Sequence, residues 1–343
     1  MVEYSNLQNK RQKLSDIIPL DTPFGIYIDP TNNCNFHCSF CPRNLDDFSE
    51  FAGHYKNMSY DLFSKIVEDI KEFHKKLKVI RLYYLGEPFI NRDFIKMFEL
   101  LVKEDICDRI EITTNGSLLS HEYSDEIIRI AKEYSGDIYV RFSIYGTSKD
   151  IYETVCRTDV DPQSIRDNIS YLFEKRNSEN VKNLFIYAKK LNTFNSENEI
   201  FYLQYRPIVD EVALEEPMNW SGAEKTDLLK ESFSNEQRSK LEVHQMPKVC
   251  SYPFTNMAIN SDGTVVSCCV DWSRKTYVGN VNENSLKEIW GGTLFNELRL
   301  MHLKGERYKN DACKNCHRLP LFEDDNLDDV SPETFANKNE SLS

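Results

Sequence analysis

Short apolar runs alternate with helical periodicity over the first two hundred residues. Six runs are strand-like, at residues 24–28, 77–84, 109–114, 138–144, 184–188 and 200–205. Between them, apolar residues recur three or four positions apart, and Ser59 is a predicted N-cap of one such helix. Strands separated mostly by helices predict an α/β fold with a parallel sheet and right-handed crossovers. Six strands are too few for a closed eight-stranded barrel, so we expect an open, partial (β/α)6 TIM-like barrel over residues 24–212 after an N-terminal extension over residues 1–23.

The pattern changes after residue 212. Residues 213–249 are polar and less periodic, which indicates a connector. Two short apolar runs then flank Ser261-Asp262-Gly263 and predict a hairpin, and a helix follows from about Ser285 to His302. We expect a small α+β subdomain over residues 250–317. The acidic tail over residues 318–343 is expected to have a mobile end, with a lid over the site as the alternative.

Charge and cysteine content narrow the function classes. The 343 residues include 42 basic and 55 acidic side chains, a formal charge of −13, which disfavours a nucleic-acid partner. The start of the chain has no signal-peptide pattern, and no apolar run is long enough to span a membrane. Ten cysteines in such a chain fit a reducing cytoplasm and metal ligation better than a secreted disulfide framework.

Three cysteines, Cys34, Cys38 and Cys41, follow the first strand with C-x3-C-x2-C spacing. Three thiolates can hold a [4Fe–4S] cluster by three of its irons and leave the fourth iron open to another ligand. A zinc site with His37 as a fourth ligand and a disulfide are the alternatives. His37 lies between two cysteines of a tight loop, where it is expected to point outward.

The ends of the predicted strands carry a second set of polar motifs. They are Gly86-Glu87-Pro88, Thr113-Thr114-Asn115-Gly116 and Ser143-Ile144-Tyr145-Gly146, with Arg157 on the next loop. Functional residues of parallel (β/α) folds gather at the carboxyl ends of the strands. Each motif alone is a common turn. The prediction of a functional site rests on the order in which the three motifs follow the cysteine loop.

The cysteine spacing together with these strand ends resembles the radical S-adenosylmethionine enzymes. The resemblance implies that S-adenosylmethionine binds the open iron of the Cys34/Cys38/Cys41 cluster. It also assigns eight residues to binding of that cofactor, which are Phe40, Gly86, Glu87, Pro88, Thr114, Asn115, Ser143 and Arg157.

A second cysteine group consists of Cys250, Cys268, Cys313 and Cys316. Four thiolates fit either a fully ligated [4Fe–4S] cluster or a structural zinc ion. The surrounding sequence, including Cys268-Cys269-Val270-Asp271 and Ile289-Trp290, resembles the SPASM/twitch extension of radical S-adenosylmethionine enzymes. This resemblance implies an iron–sulfur cluster and not a zinc ion. No cysteine follows Cys316, so the resemblance is to the single-cluster twitch type found in 2-deoxy-scyllo-inosamine dehydrogenases.

Three cysteines are left over, namely Cys107, Cys156 and Cys269. Cys269 is a candidate substitute for Cys268 as a ligand or a candidate hydrogen-atom donor, with a spare buried thiol as the alternative. Arg206, placed at the end of the sixth predicted strand, is a candidate base or polar relay.

The resemblance implies an oxidoreductase. Reductive cleavage of S-adenosylmethionine would give a 5′-deoxyadenosyl radical that abstracts hydrogen from a substrate C–H bond, and the auxiliary cluster would accept an electron in a two-electron oxidation of the alcohol-to-ketone type. The implied substrate is a small sugar- or cyclitol-like polyol, or alternatively a ribosomally made peptide that is epimerised, crosslinked or oxidised. A flavodoxin- or ferredoxin-type protein is the implied reductant, and a non-catalytic iron–sulfur or zinc protein remains a further alternative.

Overall fold

The computed structural model describes residues 12–193, 195–215, 247–314, 316 and 323–340. The helices are α1 (Leu14–Ile17), α2 (Phe48–Ala52), α3 (Tyr60–Lys71), α4 (Phe94–Glu104), α5 (His121–Ala131), α6 (Lys149–Thr154), α7 (Pro162–Ser178), α8 (Ser196–Tyr205), α9 (Tyr252–Thr255), α10 (Leu286–Gly291), α11 (Thr293–Leu303) and α12 (Pro332–Glu340). The strands are β1 (Gly25–Ile28), β2 (Val79–Arg81), β3 (Arg109–Thr114), β4 (Asp137–Ile144), β5 (Leu184–Leu191), β6 (Glu211–Glu215), β7 (Asn256–Ile259), β8 (Thr264–Val266) and β9 (Tyr277–Asn280). Among the described helices, none has the length and apolar content needed to cross a membrane.

The strands of the described residues form one sheet in the order β6-β5-β4-β3-β2-β1-β7-β8-β9. Neighbours from β1 to β6 are parallel, which confirms the predicted six-stranded partial barrel. The predicted hairpin is also confirmed, since β7 and β8 are antiparallel. In addition, β7 pairs in parallel with β1, with Tyr27 opposite Ala258. The C-terminal unit therefore extends the sheet of the barrel.

The two faces of the sheet have different environments. On β4, Ile138, Val140 and Phe142 are buried in the main hydrophobic core, whereas the residues between them are half-buried. Since side chains alternate between faces with a period of two, the half-buried set lines the inside of the partial barrel. We call this inner face of β1 to β5 the lumen. The surrounding helices fit the predicted pattern, and Ser59 caps α3 by accepting a hydrogen bond from the Leu62 N–H at 3.2 Å.

The prediction of a strand over residues 200–205 was wrong. These residues form the second half of α8, and the sixth strand is β6, which begins at Glu211. Asn195 caps the helix by accepting a hydrogen bond from the backbone of Glu197. Phe201 and Tyr205, four residues apart, are buried together, whereas Leu203 is 77% exposed. A strand would place these three residues on one face, so the helical period was hidden behind strand-forming residue types. The predicted barrel boundary at residue 212 falls inside β6.

The helix predicted over Ser285 to His302 is two helices. Ser285 and Glu288 form a capping box at the start of α10, and Gly292 has extended backbone angles between α10 and α11. The adjacent pair Gly291-Gly292 explains the break, because glycine disfavours a helix interior.

Residues 323–339 of the C-terminal segment pack on the protein, and the mobility of the end of this segment stays a prediction. Leu327 and Phe335 are buried in a cluster with Leu14, Ile18 and Phe254. Phe24, which precedes the amino end of β1, packs against the same cluster. The segment therefore covers the amino side of the sheet and is not a lid over the carboxyl ends of the strands. Residues 318–322 and 341–343 lie outside the described residues.

Candidate active site

The first cysteine group lies in the loop that directly follows β1, at the carboxyl edge of the parallel strands. The loop is docked on the segment after α6, where the His37 N–H donates to the carbonyl of Cys156 at 3.0 Å. Arg43 braces it from the other side, because its guanidinium donates to the carbonyls of Asn32 and Phe36 at 2.9 and 3.2 Å. These hydrogen bonds are accepted by backbone carbonyls. They hold the loop in shape without using the thiol groups of Cys34, Cys38 and Cys41.

The three cysteines of this loop are free thiols, with Cys38 buried and Cys34 and Cys41 half-buried. Burial raises the pKa of Cys34 to about 12 and that of Cys41 to about 11. Desolvation raises the pKa of the half-buried Tyr145 hydroxyl, and the neighbouring Cys38, Cys34, Cys156 and Cys41 raise it further. Thiolates in such a pocket need a cationic partner, and a bound metal centre deprotonates its thiol ligands. The donor set fits an iron–sulfur cluster.

The geometry does not favour a single zinc ion at this loop. Among the described residues, no three Cys, His, Asp or Glu side chains converge closely enough to hold one metal ion. His37 is exposed, as the sequence predicts, and does not complete a four-ligand zinc site. A cubane spreads its irons over a larger volume than one ion, so it accepts a wider spacing of thiols.

Cys156 is a neighbour of the cluster loop that the sequence analysis left without a role. It is buried and hydrogen-bonded through its side chain to Cys38. The backbone hydrogen bond from His37 to Cys156 joins the segment after α6 to the loop after β1, and nothing in the local sequence around Cys156 indicates this proximity.

Glu87 is the centre of a network that joins two strand ends to the cysteine loop. Its Oε1 accepts a hydrogen bond from Thr114 Oγ1 at 2.6 Å, and its Oε2 accepts one from the Asn115 N–H at 2.7 Å. The Asn115 Nδ2 lies 4.0 Å from Cys34 Sγ. Burial raises the pKa of Glu87 to about 7. An ammonium group bound beside it would lower this pKa again and favour the ionised carboxylate. The structure therefore brings Glu87, Thr114 and Asn115 together next to Cys34.

Gly86 allows the two loops to approach closely. The Glu87 N–H donates to the carbonyl of Asn33 at 2.8 Å. A Cβ atom at Gly86 would lie 2.1 Å from the carbonyl oxygen of Thr31 and 2.3 Å from that of Asn33. Pro88 follows as the first residue of a 3-10 turn, Pro88–Ile90. Only a glycine fits this contact between backbones.

Asp29 supports the same loop from below. It is fully buried directly after β1, and its Oδ1 accepts a hydrogen bond from the Leu85 N–H at 3.2 Å. Its Oδ2 has no hydrogen-bond partner among the described residues. Desolvation raises the pKa of Asp29 to about 8, although Arg274 lowers it.

We expect Asp29→Asn to stabilise the fold near pH 7. Because the folded-state pKa is raised, the unfolded chain releases a proton above about pH 4 that the folded protein keeps until about pH 8. Stability contributed by Asp29 is therefore present at low pH and falls as the pH rises through this window. Asparagine removes that dependence, with an expected gain of about 1–3 kcal/mol at pH 7. Urea unfolding of both proteins at pH 4.5 and pH 7 measures it, and a difference that does not grow with pH would contradict the assignment.

The other predicted cofactor residues lie around this centre at different depths. Phe40 packs on Tyr145 with ring centroids 5.2 Å apart. Ser143 is half-buried in the lumen, and the register places Lys189 directly opposite it on β5. Arg157 is exposed and donates to Asn44 Oδ1 at 2.8 Å, just beyond the cysteine loop. Lys189 is a candidate cation that sequence reasoning missed, since only the strand register reveals its position.

The second cysteine group lines one cavity. Cys250, Cys268, Cys313 and Cys316 all contribute to its wall, together with Arg307. Arg307 donates to the carbonyls of Cys313 and Cys316 at 2.8 and 3.3 Å, which holds the final turn against the hairpin. Burial raises the pKa of Cys250 to about 12, so these thiols also need a metal centre to ionise. A cavity walled by four thiols fits a cluster with four protein ligands.

Comparison with known proteins identifies the family. The sequence profile of the Radical SAM superfamily matches residues 28–192, and that of SPASM, an iron–sulfur cluster-binding domain, matches residues 250–317. The chain belongs to the radical SAM superfamily. Each matched segment contains one of the two cysteine groups. A [4Fe–4S] cluster that binds S-adenosylmethionine and an auxiliary iron–sulfur cluster are the cofactors of this member of the superfamily.

Individual relatives are distant. The S-adenosyl-L-methionine-dependent 2-deoxy-scyllo-inosamine dehydrogenase of Niallia circulans is 31% identical over 81 residues, which are 24% of this chain and 32% of the relative. The crystal structure of BtrN in complex with AdoMet and 2-DOIA has a TM-score of 0.54 at 17% identity, covering 85% of this chain and 92% of that one. Streptococcus suis SuiB bound to the precursor peptide SuiA has a TM-score of 0.59 at 17% identity, with 86% and 72% covered. The matches span about a third of the length of the first curated relatives, and the structures show the shared fold.

Two predicted catalytic residues lie away from the cysteine loop of this radical SAM protein. Arg206 is exposed at the end of α8, in the 3-10 turn Arg206–Ile208, and is not at a strand end. The error follows from the wrong strand prediction. Cys269 is buried and packs with Tyr27 and Val266, and it does not line the cavity that holds Cys268. Cys268 is therefore the better fourth ligand of the auxiliary group.

Proposed function

We propose that this protein cleaves S-adenosylmethionine reductively, removes hydrogen from a C–H bond and oxidises a small sugar- or cyclitol-like alcohol to a ketone. The observation that carries the proposal is the juxtaposition of three available thiols with the Glu87 network at the carboxyl edge of the barrel. Asn115 links the two, because its backbone N–H binds Glu87 at 2.7 Å while its side chain lies 4.0 Å from Cys34 Sγ. A cluster carrier without a cosubstrate has no need of such a network.

The cysteine loop would hold the first cluster through Cys34, Cys38 and Cys41. When bound, this cluster and S-adenosylmethionine supply one-electron cleavage of a carbon–sulfur bond, which yields a 5′-deoxyadenosyl radical. Glu87 would accept hydrogen bonds from the ammonium group of the methionine moiety, which would pair its buried carboxylate with a cation. The packed rings of Phe40 and Tyr145 would limit the access of water to this loop.

The methionine carboxylate requires a cation and a hydroxyl donor. Ser143 and its register partner Lys189 would supply both at the end of the lumen. The Lys189 side chain is 24% exposed and forms an ion pair with Glu215. We assign the carboxylate to this pair, with Arg157 as the cation on the outer side of the loop. Gly86 and Pro88 shape the Glu87 turn and act through backbone position.

The auxiliary site would hold its cluster through Cys250, Cys268, Cys313 and Cys316. Four protein thiolates leave no iron open for substrate, so the site is suited to accepting an electron from the lumen. Cys269 packs between this site and Tyr27 of the lumen, which makes it our candidate hydrogen-atom donor. Arg206 is kept as a candidate polar relay only for a substrate that reaches the end of α8. A ferredoxin- or flavodoxin-type protein would supply the reducing electron.

The side chains that line the lumen also indicate a class of substrate. Its walls are half-buried side chains of β2 to β5, with tyrosine, serine, lysine and arginine among them. Polar walls of this kind, rich in hydrogen-bond donors, suit a hydroxylated molecule. The alternative, modification of a ribosomally made peptide, predicts that turnover requires a peptide and that no polyol increases cleavage.

Anaerobic reconstitution followed by metal counting and a cleavage assay tests the proposal. Two [4Fe–4S] clusters predict about eight irons per chain, together with release of 5′-deoxyadenosine on reduction. A Cys107→Ala variant is the matched control, because Cys107 is buried beside Tyr134 at 3.3 Å and belongs to neither group. About four irons with one zinc would contradict the auxiliary role, and absence of 5′-deoxyadenosine would contradict the activity.

A further inference from the structure

The lumen contains a fully buried carboxylate, Glu111 of β3, surrounded by three guanidinium groups. Arg81 of β2 and Arg141 of β4 each approach Glu111 Oε2 to 3.0 Å. Arg109 Nε lies 3.0 Å from Glu111 Oε1. One carboxylate compensates one of the three cations, so this cluster carries two uncompensated positive charges.

No other carboxylate among the described residues lies within ion-pairing distance of these arginines. Asp137 is exposed at the amino end of β4. Glu211 lies on β6, which is separated from β4 by β5. Glu215 is paired with Lys189 at 3.1 Å. The described part of the chain therefore leaves the excess charge in the lumen without an acidic partner.

The guanidinium groups are accessible from the lumen. The side chains of Arg81 and Arg141 are 18% and 31% exposed, although Glu111 beneath them is fully buried. Arg81 also lies over the ring of Tyr27 at 4.8 Å, and Tyr27 packs edge to face with Tyr83 at 5.8 Å. Burial raises the pKa of both phenols, so both remain protonated and able to donate. Two guanidinium groups and two phenols therefore lie close to one another, and all four can donate hydrogen bonds.

This site lies between the two cysteine groups. Arg141 precedes Ile144, the last residue of β4, by three residues, which places it about 10 Å below the carboxyl end of that strand. On the other side, Tyr27 and Tyr83 pack against Cys269, the neighbour of Cys268. An anion bound here would anchor its carrier beside the auxiliary site and below the Glu87 network.

We propose that Arg81 and Arg141 bind a phosphate ester group of the substrate, with Tyr27 and Tyr83 as additional donors, so that the enzyme acts on a phosphorylated polyol or sugar. This inference rests on the function proposed above. A phosphate monoester carries about −1.5 to −2 charges near neutral pH, which matches the excess charge of the cluster better than a carboxylate does. Guanidinium forks pair in a bidentate manner with phosphate oxygens.

Calorimetric titration of the anaerobic holoprotein, with both clusters reconstituted and S-adenosylmethionine bound, tests the site with methyl phosphate as the probe. Binding of methyl phosphate is expected to exceed that of acetate. Arg81→Gln and Arg141→Gln should each weaken it by about tenfold. Arg129→Gln is the matched control, because Arg129 is an exposed arginine paired with Glu99 and Glu126 at 2.8 Å.

Glu111→Gln separates a ligand site from a structural network. This variant keeps all three arginines and removes their internal counter-charge, so it should bind methyl phosphate more tightly than the wild type. Unchanged cluster absorbance and affinity for S-adenosylmethionine report that each variant is folded. Wild-type protein that takes up no methyl phosphate, or equal affinities in the wild type, Arg141→Gln and Glu111→Gln, would overturn the inference.

The same samples distinguish this inference from the proposed function. Protein that binds methyl phosphate through Arg141 but releases no 5′-deoxyadenosine refutes the function and leaves the anion site standing. Protein that releases 5′-deoxyadenosine but binds no methyl phosphate refutes the anion site alone.

Discussion

Replacing Cys34 by alanine is expected to abolish cleavage of S-adenosylmethionine, whereas replacing Cys313 should leave measurable cleavage and eliminate the oxidised product. Cys34 belongs to the loop beside Glu87, where the proposed cosubstrate binds. Cys313 lines the separate cavity with Arg307. Loss of a ligand in the first loop removes the electron donor for cleavage, whereas loss in the second removes only the electron acceptor.

Quantifying 5′-deoxyadenosine and product in the same reaction separates the two variants. We expect a loss of cleavage of about a thousandfold or more for Cys34→Ala, which corresponds to about 4 kcal/mol. Cys107→Ala should retain both readouts, because its thiol contacts Tyr134 and neither cysteine group. Equal loss of cleavage in Cys34→Ala and Cys313→Ala would argue against this division of roles.

Replacing Gly86 by alanine should separate the Glu87 turn from the cysteine loop. The added methyl group would lie 2.1 and 2.3 Å from two backbone carbonyl oxygens, and neither can move as a flexible side chain would. We expect destabilisation of about 3 kcal/mol, at the upper end of the usual range for overpacking, together with loss of S-adenosylmethionine binding. Denaturant unfolding and equilibrium binding measure the two effects.

Gly291→Ala provides the matched comparison. A Cβ atom at this position, the last residue of α10, would meet nothing within 4 Å. Alanine in a helix is favoured over glycine by about 1 kcal/mol, so this variant should be as stable as the parent or more stable. Similar destabilisation of both variants would show that the close contact at Gly86 is not the cause.

Much of the fold was readable from local patterns. The period of two in β4 and the period of 3.6 in α3 are strong because each element buries one face. The same reasoning failed at α8, where Ile200, Phe201 and Tyr202 are strand-forming residue types and two of the three are exposed. In that segment the end-capping residue Asn195 and burial of Phe201 with Tyr205 decide the structure, and neither effect shows in a short apolar run.

The site was predictable where its residues lie at strand ends and not where they meet through tertiary contacts. Glu87 and Asn115 follow β2 and β3, so a parallel sheet brings them together. Cys156 and Lys189 reach the site only through the pairing of distant segments, and the Arg81–Glu111–Arg141 cluster spans three strands. Such groups become visible once the register is known.

The pairing of β7 with β1 also acts as a spacer between two redox centres. The first cysteine loop leaves the carboxyl end of β1, whereas Cys250 lies shortly before the amino end of β7, and each strand has four residues. A strand of that length spans about 13 Å. Lengthening both strands by two residues would keep every side chain on its present face but add about 7 Å to the path that an electron must tunnel. If the proposed electron transfer takes place, the length of this backbone ladder would limit its rate as well as set the shape of the sheet.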